Sequence, residues 1–191
     1  MKTRTIFRRR WLLAFACLSL AGARAVGGEV SVGAGEYQVK AAFIFNFTKF
    51  VDWPATSFAS SNAPLVIGIV GQDPFGSSLE DVVRGELVRN RRFIIKQLRA
   101  DGELAGCHVL FISRSEKERL PRLLERLKGS PVLTVSDMDG FAEQGGMLHL
   151  LLVQDSVKME INQEAATAAG LQISAKLLKL ARLVKSDASE P

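Results

Sequence analysis

An α/β fold, with helices on both faces of a mixed and mostly parallel central sheet, is what this sequence predicts, and three observations predict it. Residues 64–71, 107–113 and 131–135 are nearly continuous apolar runs, the pattern of strands covered on both faces. Segments that carry helix caps and stops alternate with these runs. The connections are short, so the order strand, helix, strand, helix, strand argues for parallel neighbours joined by helical crossovers.

Residues 36–53 read as the first helix, ended by Pro54 because the residue before a proline is pushed out of the helical region. At 100° per residue Val39, Phe43, Phe47, Phe50 and Val51 share one apolar arc, with Tyr37, Ile44 and Trp53 at its margins. Two residues break the pattern. Asn46 falls inside the arc, where a buried amide would satisfy a backbone group, and Phe45 falls on the polar side with Gln38, Thr48, Lys49 and Asp52. Phe45 there needs a cover, either another segment of the chain or a partner. After the first strand, Asp73-Pro74-Phe75-Gly76 is a turn, Ser77 or Ser78 caps a short helix, and Gly85 stops it after Arg84. Leu87-Val88 and residues 93–98 read as strand. A helix capped by Ser115, with Glu118 three residues on, runs to Lys128 and ends at Gly129. Residues 147–153 and 157–161 form an expected antiparallel pair. Asn162 caps a helix over 164–169, and Ser174 caps a last helix in which Leu177, Leu178, Ala181 and Val184 recur at helical spacing.

Residues 1–25 have the parts of a secretory signal: Arg8-Arg9-Arg10, an apolar stretch over 11–22, and the small-residue site Ala23-Arg24-Ala25. Cleavage is expected after Ala25. The apolar stretch falls well short of the roughly 20 residues that span a bilayer, so no stable membrane insertion is expected. Bulky Phe15 argues against a lipid on Cys17, and the twin arginines leave the general and the folded-export routes both open. Residues 26–35 are then a flexible lead, 36–185 one domain, and 186–191 a frayed tail.

The leader takes Lys2, Arg4, Arg8, Arg9, Arg10 and Arg24 with it and no acid; of 25 Lys and Arg, 19 remain against 20 Asp and Glu. The net charge of +5 therefore implies no nucleic-acid surface. Only Cys107 survives in the mature chain, which excludes an internal disulfide there.

No constellation of residues demands chemistry. A zinc site needs about four convergent ligands, and among His108, His149 and Cys107 two are strand neighbours that point to opposite faces. No metal and no cofactor are expected. The phosphate-cradling patterns and the G-x-S-x-G elbow are missing, and no catalytic residue is assigned. Asp73, Asp137, Asp139 and Glu160 could act together only if the fold gathered them. The loop over 136–146 leaves the carboxyl end of a buried-type strand, where parallel sheets bind ligands, and its Phe141 needs a pocket or a partner.

The stretches over 37–54, 73–76, 107–113, 131–137, 140–142, 145–147, 160–162 and 173–181 together resemble, in order, the blocks of the YfiR family of exported regulators. The resemblance implies a three-layer α/β/α sandwich in the periplasm that tends to form a homodimer. It also implies a non-enzymatic regulator that represses an inner-membrane diguanylate cyclase, or a related membrane sensor, through its periplasmic domain and so sets cyclic di-GMP. Phe45, Lys49, Asp137 and Phe141 are the expected partner-binding residues. The alternative is a small-solute binding protein, with Asn46, Asp73, Phe75, Gly145, Gly146, Glu160, Asn162 and Lys176 as pocket candidates. That family's regulatory model uses paired cysteines near Gly145-Gly146. None stand there, so Cys107 is left without a mate.

Overall fold

The structure, a computed structural model, describes residues 32–186; the leader and its cleavage site lie outside them. In chain order the elements are α1 (Val32–Phe50), β1 (Val51–Asp52), β2 (Leu65–Val70), α2 (Ser78–Val83), β3 (Phe93–Leu98), β4 (Val109–Ile112), α3 (Leu120–Leu127), β5 (Leu133–Ser136), β6 (Leu148–Val153), β7 (Ser156–Ile161), α4 (Gln163–Ala168), β8 (Gln172–Ile173), α5 (Ala175–Leu178) and β9 (Arg182–Leu183). Seven strands form one sheet in the order β3-β2-β4-β5-β6-β7-β9. The first five run parallel; β7 is antiparallel to β6, and β9 parallel to β7.

Alternation along the strands produces two cores. Leu65, Ile67, Ile69, Val109 and Phe111 turn to one face and pack with Ala41, Ile44 and Phe47 of α1, Val51 of β1 and Leu79 of α2. Val66, Val70, Leu110 and Ile112 turn to the other, against Leu120, Leu123 and Leu127 of α3. Because both faces are covered, these strands read as unbroken apolar runs.

The structure departs from the sequence reading in four places. The first helix begins earlier and stops at Phe50, since Val51 and Asp52 leave it to pair with Ile173 and Gln172. Pro54 therefore follows a strand. The helix after β4 is capped by Ser113, whose hydroxyl accepts from Ser115 N–H, and its first turn is a 3-10 helix over Arg114–Arg119. Leu87-Val88 is no strand of the sheet; Val88 bridges to Arg91 across a turn in which Arg89 and Asn90 have positive φ. The last helix is a single turn, after which the chain adds β9 to the sheet by pairing Arg182 with Glu160 and Leu183 with Ile161. Backbone pairing overrides a helical spacing that two turns cannot hold alone.

Candidate functional site

Of the apolar arc read from the sequence, Val39, Phe43 and Phe50 lie on the outer face, whereas Phe47 and Val51 are buried in the core. The inner face of α1 carries Lys40, Ala41, Ile44 and Thr48, each fully buried. Its two polar members are paired, Thr48 by donating to Phe45 C=O at 2.6 Å and Lys40 by the cluster described below. Counting apolar residues alone misses much of this face, because a paired lysine can be buried as completely as a leucine. Asn46, expected inside, is exposed.

The helix is thus apolar on both sides, a composition that suits a fully covered helix. Val39, Ala42, Phe43, Phe47 and Phe50 of α1, with Met159 of β7 and Leu177 and Leu180 of α5 and its exit, line a groove of about 580 Å³. Gln38 and Asn46 are its polar members. Val39 is 45% and Leu180 76% exposed. Phe43 and Phe47 pack at 6.0 Å between centroids and form its floor.

A charged cluster lies at the carboxyl end of β5. Asp137, 1% exposed, accepts at Oδ2 from Lys40 Nζ and from Tyr37 OH, both at 2.7 Å. Arg114, which follows β4, lies 3.3 Å from Oδ1 and donates to Asp137 C=O at 2.8 Å. Lys40 also pairs with Glu36 one turn back. Burial by itself would raise the Asp137 carboxyl, but the hydrogen bonds from Lys40 and Tyr37 and the charges of Lys40 and Arg114 outweigh it, so its pKa lies below the ordinary value. The Tyr37 phenol is raised by burial and by its bond to Asp137. The cluster ties α1 to the end of the central strand.

Several residues expected to meet a partner are therefore inside. Asp137 is spoken for, and Phe141 is 0% exposed in the core under α3. Phe45 is 8% exposed, covered by the Phe93 ring at 5.6 Å and by Lys49, whose Nζ lies 3.9 Å above its ring. The cover that Phe45 requires comes from its own chain. Of the four, Lys49 alone is exposed.

The expected pocket residues are not gathered into one cavity. Asp73 is exposed and accepts from Phe75 N–H at 2.7 Å, fixing the turn. Phe75 is buried edge-on to Tyr37 and Phe111. Asn162 caps α4 and donates to Ala142 C=O at 2.9 Å. Glu160 accepts from Arg182 Nε and pairs with His149, both at 2.8 Å. Burial opposes the charge on Glu160, yet these two partners hold its carboxyl below the ordinary value. Lys176 is exposed on α5, and Gly145 and Gly146 turn the loop back to β6. The cleft at the carboxyl ends of β2 and β3, about 570 Å³, is lined instead by Arg99, Arg119, Arg122 and Arg126 with Asp101 and Glu116. The sequence reading passed over Lys40, Arg114 and Leu180 because each, taken alone, looks like an ordinary surface residue.

Cys107 is 4% exposed and donates to Leu104 C=O at 3.0 Å; burial pushes its thiol up to about 12. A thiol so buried and so weakly acidic is inert at neutral pH. Iodoacetamide should leave Cys107 unmodified in the folded protein and label it fully in denaturant, as read by intact mass. Labelling in native buffer at the denatured rate would contradict this burial.

Among the described residues no helix is long and apolar enough to cross a membrane. Among solved structures, the chain is similar to the ABC domain in complex with L-Trp from Streptococcus pneumonia, at 12% identity and a TM-score of 0.46. The match covers 63% of this chain and spans about half, 55%, of that one, a likeness too slight to argue from. The family comparison is decisive: the YfiR/HmsC-like family model matches residues 37–182, from the tyrosine that holds Asp137 to the arginine of β9, and the chain belongs to that family.

Proposed function

We propose that this chain represses the periplasmic domain of an inner-membrane diguanylate cyclase by seating a segment of that domain in the groove of α1. Family membership supports a regulator of cyclic di-GMP signalling that acts in the periplasm without catalysis of its own. The groove is the observation that carries the reading. Val39, Ala42, Phe43, Asn46, Phe47 and Phe50 follow one another at the i, i+3, i+4, i+7 spacing of a helix-in-groove site, over a length of roughly 18 Å. Its apolar floor and exposed rim suit an amphipathic helix of the cyclase. Control follows from differential affinity alone, since the regulator shifts its partner only as far as it prefers one of the partner's two states.

Val39→Asp with Leu180→Asp places two charges in the groove at exposed positions, so the fold should survive. Binding to the purified periplasmic domain of the cyclase, followed by calorimetry, should weaken at least tenfold, a loss of about 1.4 kcal/mol or more. Cellular cyclic di-GMP should rise to the level of a deletion strain. Unaltered binding with an unchanged melting temperature would overturn the groove as the docking site. Variants that become monomeric yet bind the cyclase normally would reassign it to a second copy of this chain.

A second reading, an anionic solute as the signal, is favoured by the four arginines of the β2 and β3 cleft. The cleft lies at the carboxyl ends of parallel strands, the end of the sheet at which open α/β folds bind ligands. A rise in melting temperature with small polyanions, lost in Arg122→Glu, would support it.

A further inference from the structure

Under α3 the second face of the sheet is apolar, but under the loop that follows β5 it is polar. His149 of β6 and Glu160 of β7 stand opposite each other in register and are 3% and 4% exposed. Glu143 of the loop closes on them, and one ligand atom from each of the three lies within 4.8 Å of the others. Among the described residues two buried atoms of this group have no hydrogen-bond partner, His149 Nε2 and Glu143 Oε2.

The pairing of His149 decides what those atoms are. Its Nδ1 lies 2.8 Å from Glu160 Oε2, and a carboxylate can only accept, so Nδ1 carries the proton. Nε2, on the opposite edge of the ring, is then left to meet some other group. Neither Nε2 nor the Glu143 oxygen finds a partner in the protein, and a buried polar atom without one is costly. Arg182 is no such partner for them. Its guanidinium bonds Glu160 Oε1 and lies 3.5 Å from Glu143 Oε1, and it bonds neither orphan atom.

We propose that His149 Nε2 and Glu143 Oε2, with Glu160 orienting the imidazole through Nδ1, form a binding site for a late first-row divalent cation, with Zn²⁺ as the probe. One imidazole with carboxylate oxygens is a donor set that such ions accept, and a carboxylate on the far nitrogen is the usual means of orienting a ligating histidine. Arg182, 67% exposed at its side chain, is the movable group through which an ion enters. The site stands apart from the α1 groove, so neither proposal depends on the other. It also runs against the sequence expectation of no metal, which weighed the histidines with Cys107 and left the two glutamates out.

The test uses the leader-free protein without a histidine tag, stripped by chelator, titrated with Zn²⁺ by calorimetry and with Co²⁺ by visible absorption. One equivalent of Zn²⁺ should bind and raise the melting temperature, and Co²⁺ should give ligand-field bands. Glu143→Gln removes a partly exposed carboxylate whose Oε2 has no protein partner to lose, so the metal-free fold should keep its melting temperature. Zn²⁺ affinity should nevertheless fall at least about tenfold. His149→Gln should abolish the bands. Absence of Zn²⁺ binding to the wild-type protein, as expected if a water fills the space, would overturn the site, as would binding that Glu143→Gln leaves unchanged.

Discussion

Lys40→Met should destabilise the domain by about 3–5 kcal/mol, because it leaves the Asp137 carboxylate buried without its closest counter-charge. Lys40 is completely buried and Asp137 is 1% exposed, so neither can recover its loss by turning to water. Tyr37 and Arg114 stay in place and put the effect toward the lower end of that range. Urea denaturation measures it directly. Removing the charge as well, in Lys40→Met with Asp137→Asn, should recover a large part of the loss. A variant within about 1 kcal/mol of the wild type would show that the pair is not what holds α1 to β5.

The same pair sets an acid limit. The folded pKa of Asp137 lies below that of the unfolded chain, so the unfolded state binds the proton first as pH falls. The stability contributed by the carboxylate is complete above the unfolded value, near pH 4 for an aspartate, and is lost as pH drops through the depressed folded value. In Lys40→Met burial acts with less opposition, and this acid loss should shrink. Stability curves of the two proteins between neutral pH and acid check the change of slope.

Phe141→Ala should cost about 3–5 kcal/mol, and Phe141→Asp should prevent folding. The ring is fully buried with Met138 against Leu120, Leu123 and Leu127. Gly146 passes directly beneath it, where an added Cβ would come within 2.2 Å of the ring. Gly146→Ala should therefore destabilise by clash at the site where Phe141→Ala destabilises by cavity. Circular dichroism and thermal melting distinguish these losses of fold from a loss of binding. A soluble, native-like Phe141→Asp protein would return this residue to the surface.

The strands were legible because their chemistry is local. A run such as Leu65–Val70 can be buried on both faces whatever its neighbours are, and Asn162 and Ser174 announce helix starts through their own side chains. The loop glycines likewise marked the turn to β6. Orientation was not local in this sense. Which side of α1 turns inward depends on Asp137, which lies 97 residues from Lys40 and becomes its partner only after β5 is in place. The same holds for Glu143, His149 and Glu160, which converge because β6 and β7 form a hairpin under the loop.

What the sequence by itself determined is therefore the class of fold, the alternation of its central strands with helices, and the family. Only the tertiary structure decided which apolar residues are core and which are surface: it buried Phe45 and Phe141 and left Val39 and Leu180 open. The reason is energetic. Apolar burial scales with area and favours either face of an amphiphobic helix almost equally, whereas a single lysine and aspartate that must not be buried apart settle the choice through a contact no local pattern contains.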